Sequence, residues 1–174
     1  MTRVQILETL KASYSSFTHF IDSLNEEQFL YSEANSWSAG QQLEHIVKSI
    51  VPLNTYMSLP NFSKKLLFGK NKNKARNYAE IVNSYQTKLK AGGKSPSKFE
   101  PKIVLFSEKE NLIGKLDYNL NKFIKSLEKI SEKELDNFRV PHPLIGKLSI
   151  REMLYFSDYH VLHHKKSIES KLKL

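Results

Sequence analysis

Apolar residues recur every three or four positions over most of the chain, which is the pattern of amphipathic helices. The first such stretch covers residues 2–24, and the second begins after Trp37 and runs towards Leu59. Ser38 stands at the start of the second stretch, where its hydroxyl can accept from the free backbone amides of a helix N-terminus. The sequence therefore predicts two long helices in the first third of the chain. The apolar stripe of the first helix consists of Ile6, Leu10, Phe17, Ile21 and Leu24.

The middle of the chain alternates between irregular and helical patterns. Residues 61–75 are basic and irregular, which predicts a loop with one apolar turn at 62–68. A third helix is predicted from Tyr78 to Leu89, because the pair Gly92-Gly93 ends the periodic pattern there. Residues 94–106 contain two prolines and are predicted to form an extended crossover.

The last third carries the cleanest helical stripe of the chain. Ser107 is predicted to cap this fourth helix, and Ser149 to cap a last helix that ends near Leu172. A turn over 131–136 and a loop over 140–146 lie between them, and no strand pair is expected. The stripe of the fourth helix consists of Leu112, Ile113, Leu116, Leu120, Phe123, Ile124, Leu127 and Ile130.

Four long helices and a shorter one predict an all-α fold, a four-helix bundle with crossover connections and one or two extra short helices. An antiparallel bundle is the natural way to bury four apolar stripes against one another. The length of 174 residues suits a single domain over residues 1–174. The chain has no run of about 18 apolar residues, and its first five residues lack the apolar core of a secretory signal. We therefore expect no membrane partner and a cytoplasmic location.

The residue types that are missing or in excess limit which metal ligands, nucleophiles and partners the chain can use. The chain has no cysteine. This excludes thiolate nucleophiles of its own, Cys-ligated metals and iron–sulfur clusters, so any metal must be held by His and carboxylate ligands. The net charge is +9, which permits an acidic partner but does not by itself indicate one. Lys-rich helix surfaces are usually solvated, so we expect no nucleic-acid partner. Much of the excess positive charge lies at Lys64, Lys65, Lys70, Lys72, Lys74, Arg76, Lys165, Lys166, Lys171 and Lys173.

The last predicted helix carries three histidines within five positions. At about 100° per residue, His160 and His164 lie one turn apart on the edge of the inward stripe, whereas His163 points away from them. This spacing allows one helix to present two nitrogens to one metal ion. Two histidines four apart are more often the polar edge of a helix than a ligand pair. The spacing alone therefore leaves both interpretations open.

A metal needs at least a third ligand, and His45 on the second helix is the best candidate. The helical period places His45 about 150° from the centre of its apolar stripe, which by itself predicts a surface residue. His19 also lies off its stripe and is predicted to be solvated. His142, between two prolines, is predicted to be a loop residue and is favoured less as part of a site.

Two segments of the chain resemble the DinB-like superfamily, which includes the bacillithiol and mycothiol transferases. One runs from Trp37 through Ser38-Ala-Gly-Gln-Gln-Leu-Glu to His45, with the histidine eight residues after the tryptophan. The other is Gly-Lys-Leu-Ser-Ile-Arg-Glu-Met-Leu at 146–154, followed by the His-x-x-His-His motif at 160–164. The motifs are short, but the resemblance spans nearly the whole chain in order and length. Lys165 and Lys166 replace the small polar residues of the family.

The resemblance implies an up-up-down-down four-helix bundle that holds a divalent metal on His45, His160 and His164. Three neutral imidazoles leave at least one coordination position open, which separates a catalytic site from a structural one. Zinc is the expected ion, and nickel, iron and manganese are the alternatives.

The leading functional hypothesis is a metal-dependent thiol S-transferase, because a bound cation converts a thiol to its thiolate at neutral pH. Since the chain has no cysteine, the thiol would be a low-molecular-weight cosubstrate that attacks an electrophile. Trp37, Tyr56 and Tyr159 are candidates to line the pocket. The alternatives are a non-catalytic, stress-associated metal-binding or interaction bundle, a metal-dependent hydrolase and, most weakly, nucleic-acid binding through residues 64–76. A homodimer is also expected.

Overall fold

Four long helices dominate the computed structural model, which describes residues 1–34, 36–71 and 74–174. They are α1 (Arg3–Ser23), α3 (Ala39–Ser58), α6 (Lys109–Leu127) and α8 (Ile150–Leu172). The shorter helices are α2 (Glu26–Leu30), α4 (Asn61–Phe68), α5 (Tyr78–Lys90) and α7 (Glu132–Asn137). Single 3-10 turns lie at Ser97–Phe99 and Phe106–Glu108, and an antiparallel hairpin joins β1 (Arg139–His142) to β2 (Gly146–Ser149).

The core forms between the stripes that the sequence predicts. The strongest packing joins α3 to α6 and α1 to α8, and α5 packs against α8 from outside this group of four. Leu10 and Phe17 of α1 and Leu116 and Leu127 of α6 are fully buried. The prediction of an all-α four-helix bundle is therefore confirmed. No helix in the described part of the chain is both long enough and apolar enough to cross a membrane.

Helices α1 and α8 run in the same direction. Ser13 donates to Asp158, and further along both helices the Lys165 ammonium donates to Ser16. Contacts that advance together along two helices require parallel axes.

Helices α3 and α6 run opposite to α1 and α8. In each of these contacts, the start of one helix meets the end of the other. The hydrogen bonds join Lys171 to the Trp37 carbonyl, His164 to Gln42, Arg3 to the Glu128 carbonyl, and Lys109 to the Leu24 carbonyl. The four long helices therefore follow one another up, down, down and up. The up-up-down-down order implied by the resemblance is wrong.

Side-chain caps fix most helix starts. Ser38 accepts from the Gln41 amide and Ser149 from the Glu152 amide, so both predicted caps are confirmed. Ser107 does not cap α6, because it lies inside the 3-10 turn and Glu108 occupies the N-cap position.

Three short elements differ from the prediction. Helix α4 occupies the first half of the predicted basic loop, and α7 replaces the turn predicted over 131–136. The loop predicted over 140–146 is part of the hairpin, so the expected absence of a strand pair is wrong. Gly146 allows the hairpin because its φ of 79° is disfavoured for residues with a Cβ.

Candidate metal centre

The imidazoles of His45, His160 and His164 meet between α3 and α8. His45 lies in the second turn of α3, and the other two lie one turn apart on α8. The Nε2 atom of His160 is 3.2 Å from Nε2 of His45 and 3.1 Å from Nε2 of His164. All three side chains are buried. The fold thus brings together the three histidines that the resemblance indicated. Each of them directs its Nε2 atom towards the others.

The surface position that periodicity predicts for His45 is wrong, because α3 is covered on two sides. Helix α6 packs on one side, and the crossover before α6 packs on the side that carries His45. Gly40 permits this close packing, since a Cβ there would lie only 2.6 Å from the Phe29 ring and 3.2 Å from Cβ of Val104. Lys102 also donates its backbone N–H to the buried Glu44 carboxylate.

Two of the three rings are oriented by oxygen acceptors. Nδ1 of His45 donates to the Phe99 carbonyl over 2.9 Å, and Nδ1 of His164 donates to Oε1 of Gln42 over 2.8 Å. The Gln42 amide is itself fixed, because its nitrogen donates to the Trp37 carbonyl. Each Nδ1 must therefore carry the proton, and each Nε2 presents a lone pair towards His160.

The donor set fits a divalent cation. A single proton on Nε2 of His160 can satisfy only one of its two neighbours, so at least one lone pair faces another nitrogen at 3.1–3.2 Å. Two nitrogens bound at about 2.0–2.1 Å to a tetrahedral zinc would lie roughly 3.3–3.4 Å apart. A shared cation would therefore relieve the repulsion at both of these nitrogen–nitrogen contacts.

Burial holds all three rings in the form that binds metal. It lowers the pKa of His160 and of His164 well below the usual histidine range, and their imidazole neighbours lower both further. Burial also lowers the pKa of His45, although the hydrogen bond to Phe99 opposes this shift. The rings are consequently neutral near pH 7, where the Nε2 lone pairs are available.

A cavity of about 270 Å³ opens beside the three histidines. Aromatic rings form much of its wall: Phe156 stacks on His160 at 4.8 Å between centroids, and the Trp37 ring lies 5.0 Å from that of His45. None of the described residues that line the cavity is an Asp or a Glu. The site therefore combines a cluster of nitrogen donors with a mostly apolar chamber.

The candidate lining residues are only partly correct. Trp37 lines the cavity, as the sequence suggests, but Tyr56 packs against Phe68 and Tyr159 packs outside, against His163. Sequence reasoning missed Tyr14 and Tyr85, which both line it. Burial raises the pKa of Tyr85 to about 12, so its hydroxyl stays protonated. The apolar stripe of α5 could have indicated that Tyr85 is buried. It could not have indicated which helix Tyr85 faces.

The remaining histidines divide into cavity and surface residues. His142 is buried and lines the cavity, as does the half-buried His163. Neither joins the cluster in which ligand atoms lie within 4.8 Å of one another. His19 is exposed, which agrees with its predicted solvation.

The basic residues 64–76 are only partly solvated. Lys64 is buried and donates to the Met57 carbonyl, and burial lowers its pKa. Arg76 donates from both its backbone and its guanidinium to the buried Glu152. The predicted solvated face therefore holds for Lys65 and its exposed neighbours, whereas Lys72 lies outside the described residues.

We expect Gln42→Leu to weaken zinc binding roughly 10- to 100-fold, which is the usual cost of losing a group that orients a metal ligand. The substitution keeps the side-chain bulk but leaves Nδ1 of His164 without its acceptor. A competition titration with a chelating dye measures the change. Gln86→Leu, an exposed site on α5, is the matched control and should bind zinc like the unmodified protein. Equal affinity in both variants would contradict the orienting role of Gln42.

Comparisons with known proteins agree with this geometry. A family model for the DinB superfamily matches residues 9–168. No curated protein matches the chain. The solved structure of YfiT from Bacillus subtilis is similar, with a TM-score of 0.58 and 12% identity over 98% of this chain and 87% of that chain. YfiT is described as a probable metal-dependent hydrolase with an unusual four-helix bundle topology. At this identity the likeness concerns the fold.

Proposed function

The chain belongs to the DinB superfamily, and from this premise we propose that it is a metal-dependent S-transferase for a low-molecular-weight thiol. In this proposal His45, His160 and His164 hold a divalent cation. The observation that carries it is the convergence of three Nε2 atoms, with contacts of 3.1 and 3.2 Å, beside an apolar cavity.

The arrangement suits a cation that keeps an open position. Three protein ligands leave room for a fourth, and the cavity beside them can admit a small molecule. A cation bound there would lower the pKa of a coordinated thiol or water by several units. The chain's own residues then bind the cation, orient two of its ligands and, with the rings of Trp37 and Phe156, form an apolar wall beside it.

The composition of the cavity wall favours a thiol over water as the nucleophile. Hydrolysis gains from a carboxylate that moves protons between water and the leaving group. The described lining residues include no carboxylate. An ionised thiol attacks an electrophile without such a base, and the absence of cysteine means that the thiol must come from outside the chain.

Zinc is the proposed cation, because three neutral nitrogen ligands that leave a fourth position open suit it well. Nickel, iron and manganese are the alternatives, since nitrogen donors also accept these ions.

Hydrolysis is the second candidate function. It is favoured by the description of YfiT, whose fold this chain shares. The same cation would then activate water in place of a thiol.

Turnover tests these proposals. The protein is loaded with zinc, nickel, iron or manganese and incubated with monochlorobimane and, in turn, bacillithiol, mycothiol, glutathione and cysteine. We expect mass spectrometry to show a thiol conjugate well above the levels given by metal-free protein and by His160→Ala. Release of alcohol from ester substrates without any thiol would support the hydrolase instead. Retained metal with neither product would favour the non-catalytic binding bundle.

Several expectations about the whole molecule stay predictions: one domain over residues 1–174, a cytoplasmic location and a homodimer. Nucleic-acid binding through residues 64–76 stays the weakest alternative. Two of the cations proposed to carry it, Lys64 and Arg76, already bind acceptors within the fold.

A further inference from the structure

His142 is held in one tautomer by its own hairpin. Its Nδ1 accepts the backbone N–H of Leu144 over 3.1 Å and that of Ile145 over 3.2 Å. A nitrogen that accepts hydrogen bonds presents its lone pair and carries no proton. In the neutral ring the proton must therefore lie on Nε2, the nitrogen on the far side of the ring.

This Nε2–H group has no acceptor in the described part of the chain. The His142 side chain is only 8% exposed and lines the cavity beside the three clustered histidines. Burial lowers its pKa to about 4, so the ring stays neutral at physiological pH. An N–H group that lines the cavity without a protein acceptor is free to donate to a ligand there, and a ligand oxygen would satisfy it.

The ring also lies close enough to the histidine cluster for one small ligand to reach both. Phe156 separates the two, with its centroid 4.2 Å from that of His142 and 4.8 Å from that of His160. The centroids of His142 and His160 are consequently no more than 9.0 Å apart. A chain of a few carbon atoms spans such a distance.

We propose that His142 donates a hydrogen bond from Nε2 to a carbonyl or carboxylate oxygen of the ligand, and so selects its substrate class. That class is small, mostly apolar molecules that carry an acceptor oxygen a few bonds away from the group bound at His45, His160 and His164. The second part of the inference rests on the proposed function, which supplies the group bound there. His142 does not act as a base, because its Nδ1 lone pair is occupied and its Nε2 already carries a proton.

Matched ligands test the donor. We would titrate zinc-loaded protein with ω-mercaptoalkanoates of two to six carbons and with alkanethiols of equal length, by calorimetry. We expect the carboxylate to bind at least about tenfold more tightly than the plain thiol at the best-fitting length, as for hydrogen bonds to charged groups. A donor satisfied instead by the face of Phe156 would give no such preference at any length, and that result would overturn the proposal.

Two variants test whether the preference for carboxylates over plain thiols depends on Nε2 of His142. His142→Asn places an amide oxygen where Nδ1 accepts from the hairpin, but it offers no donor at the position of Nε2. We expect it to lose the tenfold preference while its affinity for alkanethiols is unchanged. His142→Gln, which can place an amide N–H near that position, should recover part of the preference. An unchanged preference in His142→Asn would contradict the proposal. Urea unfolding of each variant verifies that the fold is retained.

Two further measurements separate this inference from the proposed metal chemistry. The ¹⁵N shifts of the His142 ring report its tautomer, and a protonated Nδ1 between pH 6 and 8 would refute the inference. If zinc does not bind, the proposed function fails, but metal-free protein can be titrated with alkanoates and alkanols. An alkanoate preference that His142→Asn abolishes would sustain the role of His142, and its absence would reject it.

Discussion

Replacing His160 with alanine is expected to raise the Kd for zinc by more than about 100-fold, since loss of a mere orienting partner already costs 10- to 100-fold. Nε2 of His160 lies 3.2 Å from Nε2 of His45 and 3.1 Å from Nε2 of His164. Its removal leaves His45 and His164 as two ligands without the nitrogen between them. Elemental analysis of untagged protein gives the metal content, and a chelator competition gives the affinity.

The control variants come from the same set of residues. His163→Ala truncates the residue next to His164 on the same helix, and His19→Ala truncates an exposed ring on α1. Both should retain zinc, whereas His45→Ala and His164→Ala should lose it like His160→Ala. Equal zinc occupancy in all five variants would reject the proposed ligand set.

The second large effect is expected for Phe156→Ala, which should lower the free energy of unfolding by about 3 kcal/mol. Phe156 is 7% exposed and contacts the rings of His160, His142 and Tyr85. Its truncation removes buried apolar surface and leaves a void that the rigid helix α8 cannot close. Urea unfolding of metal-free protein measures the change, because bound metal would add its own stabilisation.

Phe62→Ala is the matched control for this loss. It makes the same chemical change on α4, where the ring is 74% exposed. Its effect should stay within about 0.5 kcal/mol. A similar loss in both variants would mean that Phe156 is not part of the packed wall of the cavity.

The helices were predictable from sequence because their signals are local. The stripe of α6 and the caps Ser38 and Ser149 each lie within a few residues of the element that they define. The same holds for His160 and His164, whose one-turn spacing on a helix already places both rings on one side.

His45 could not be placed by its own helix. Periodicity assumes that a helix has one buried side, whereas α3 packs on α6 and is also covered by the crossover that carries Phe99. The family resemblance indicated His45 as a ligand, which the helical period could not do. Ligand sets that join distant segments depend on such long-range packing.

The short elements were missed for a related reason. An eight-residue helix such as α4 and a hairpin with two four-residue strands have little stability of their own, so their local patterns are weak. They form because the bundle holds them, as when Lys64 of α4 donates to the Met57 carbonyl of α3 or Arg151 of α8 donates to Asp136 of α7. His142 lies in the hairpin, so its place beside the cavity could not be predicted without predicting the hairpin.

The two orienting acceptors differ in how well they withstand genetic drift. The oxygen that holds His45 belongs to the backbone of residue 99, so almost any side chain can occupy that position without removing it. The oxygen that holds His164 belongs to a side chain, and a single codon change at position 42 deletes it. Under relaxed selection, lineages of this protein should therefore lose the support of the α8 ligand first and keep that of the α3 ligand longest.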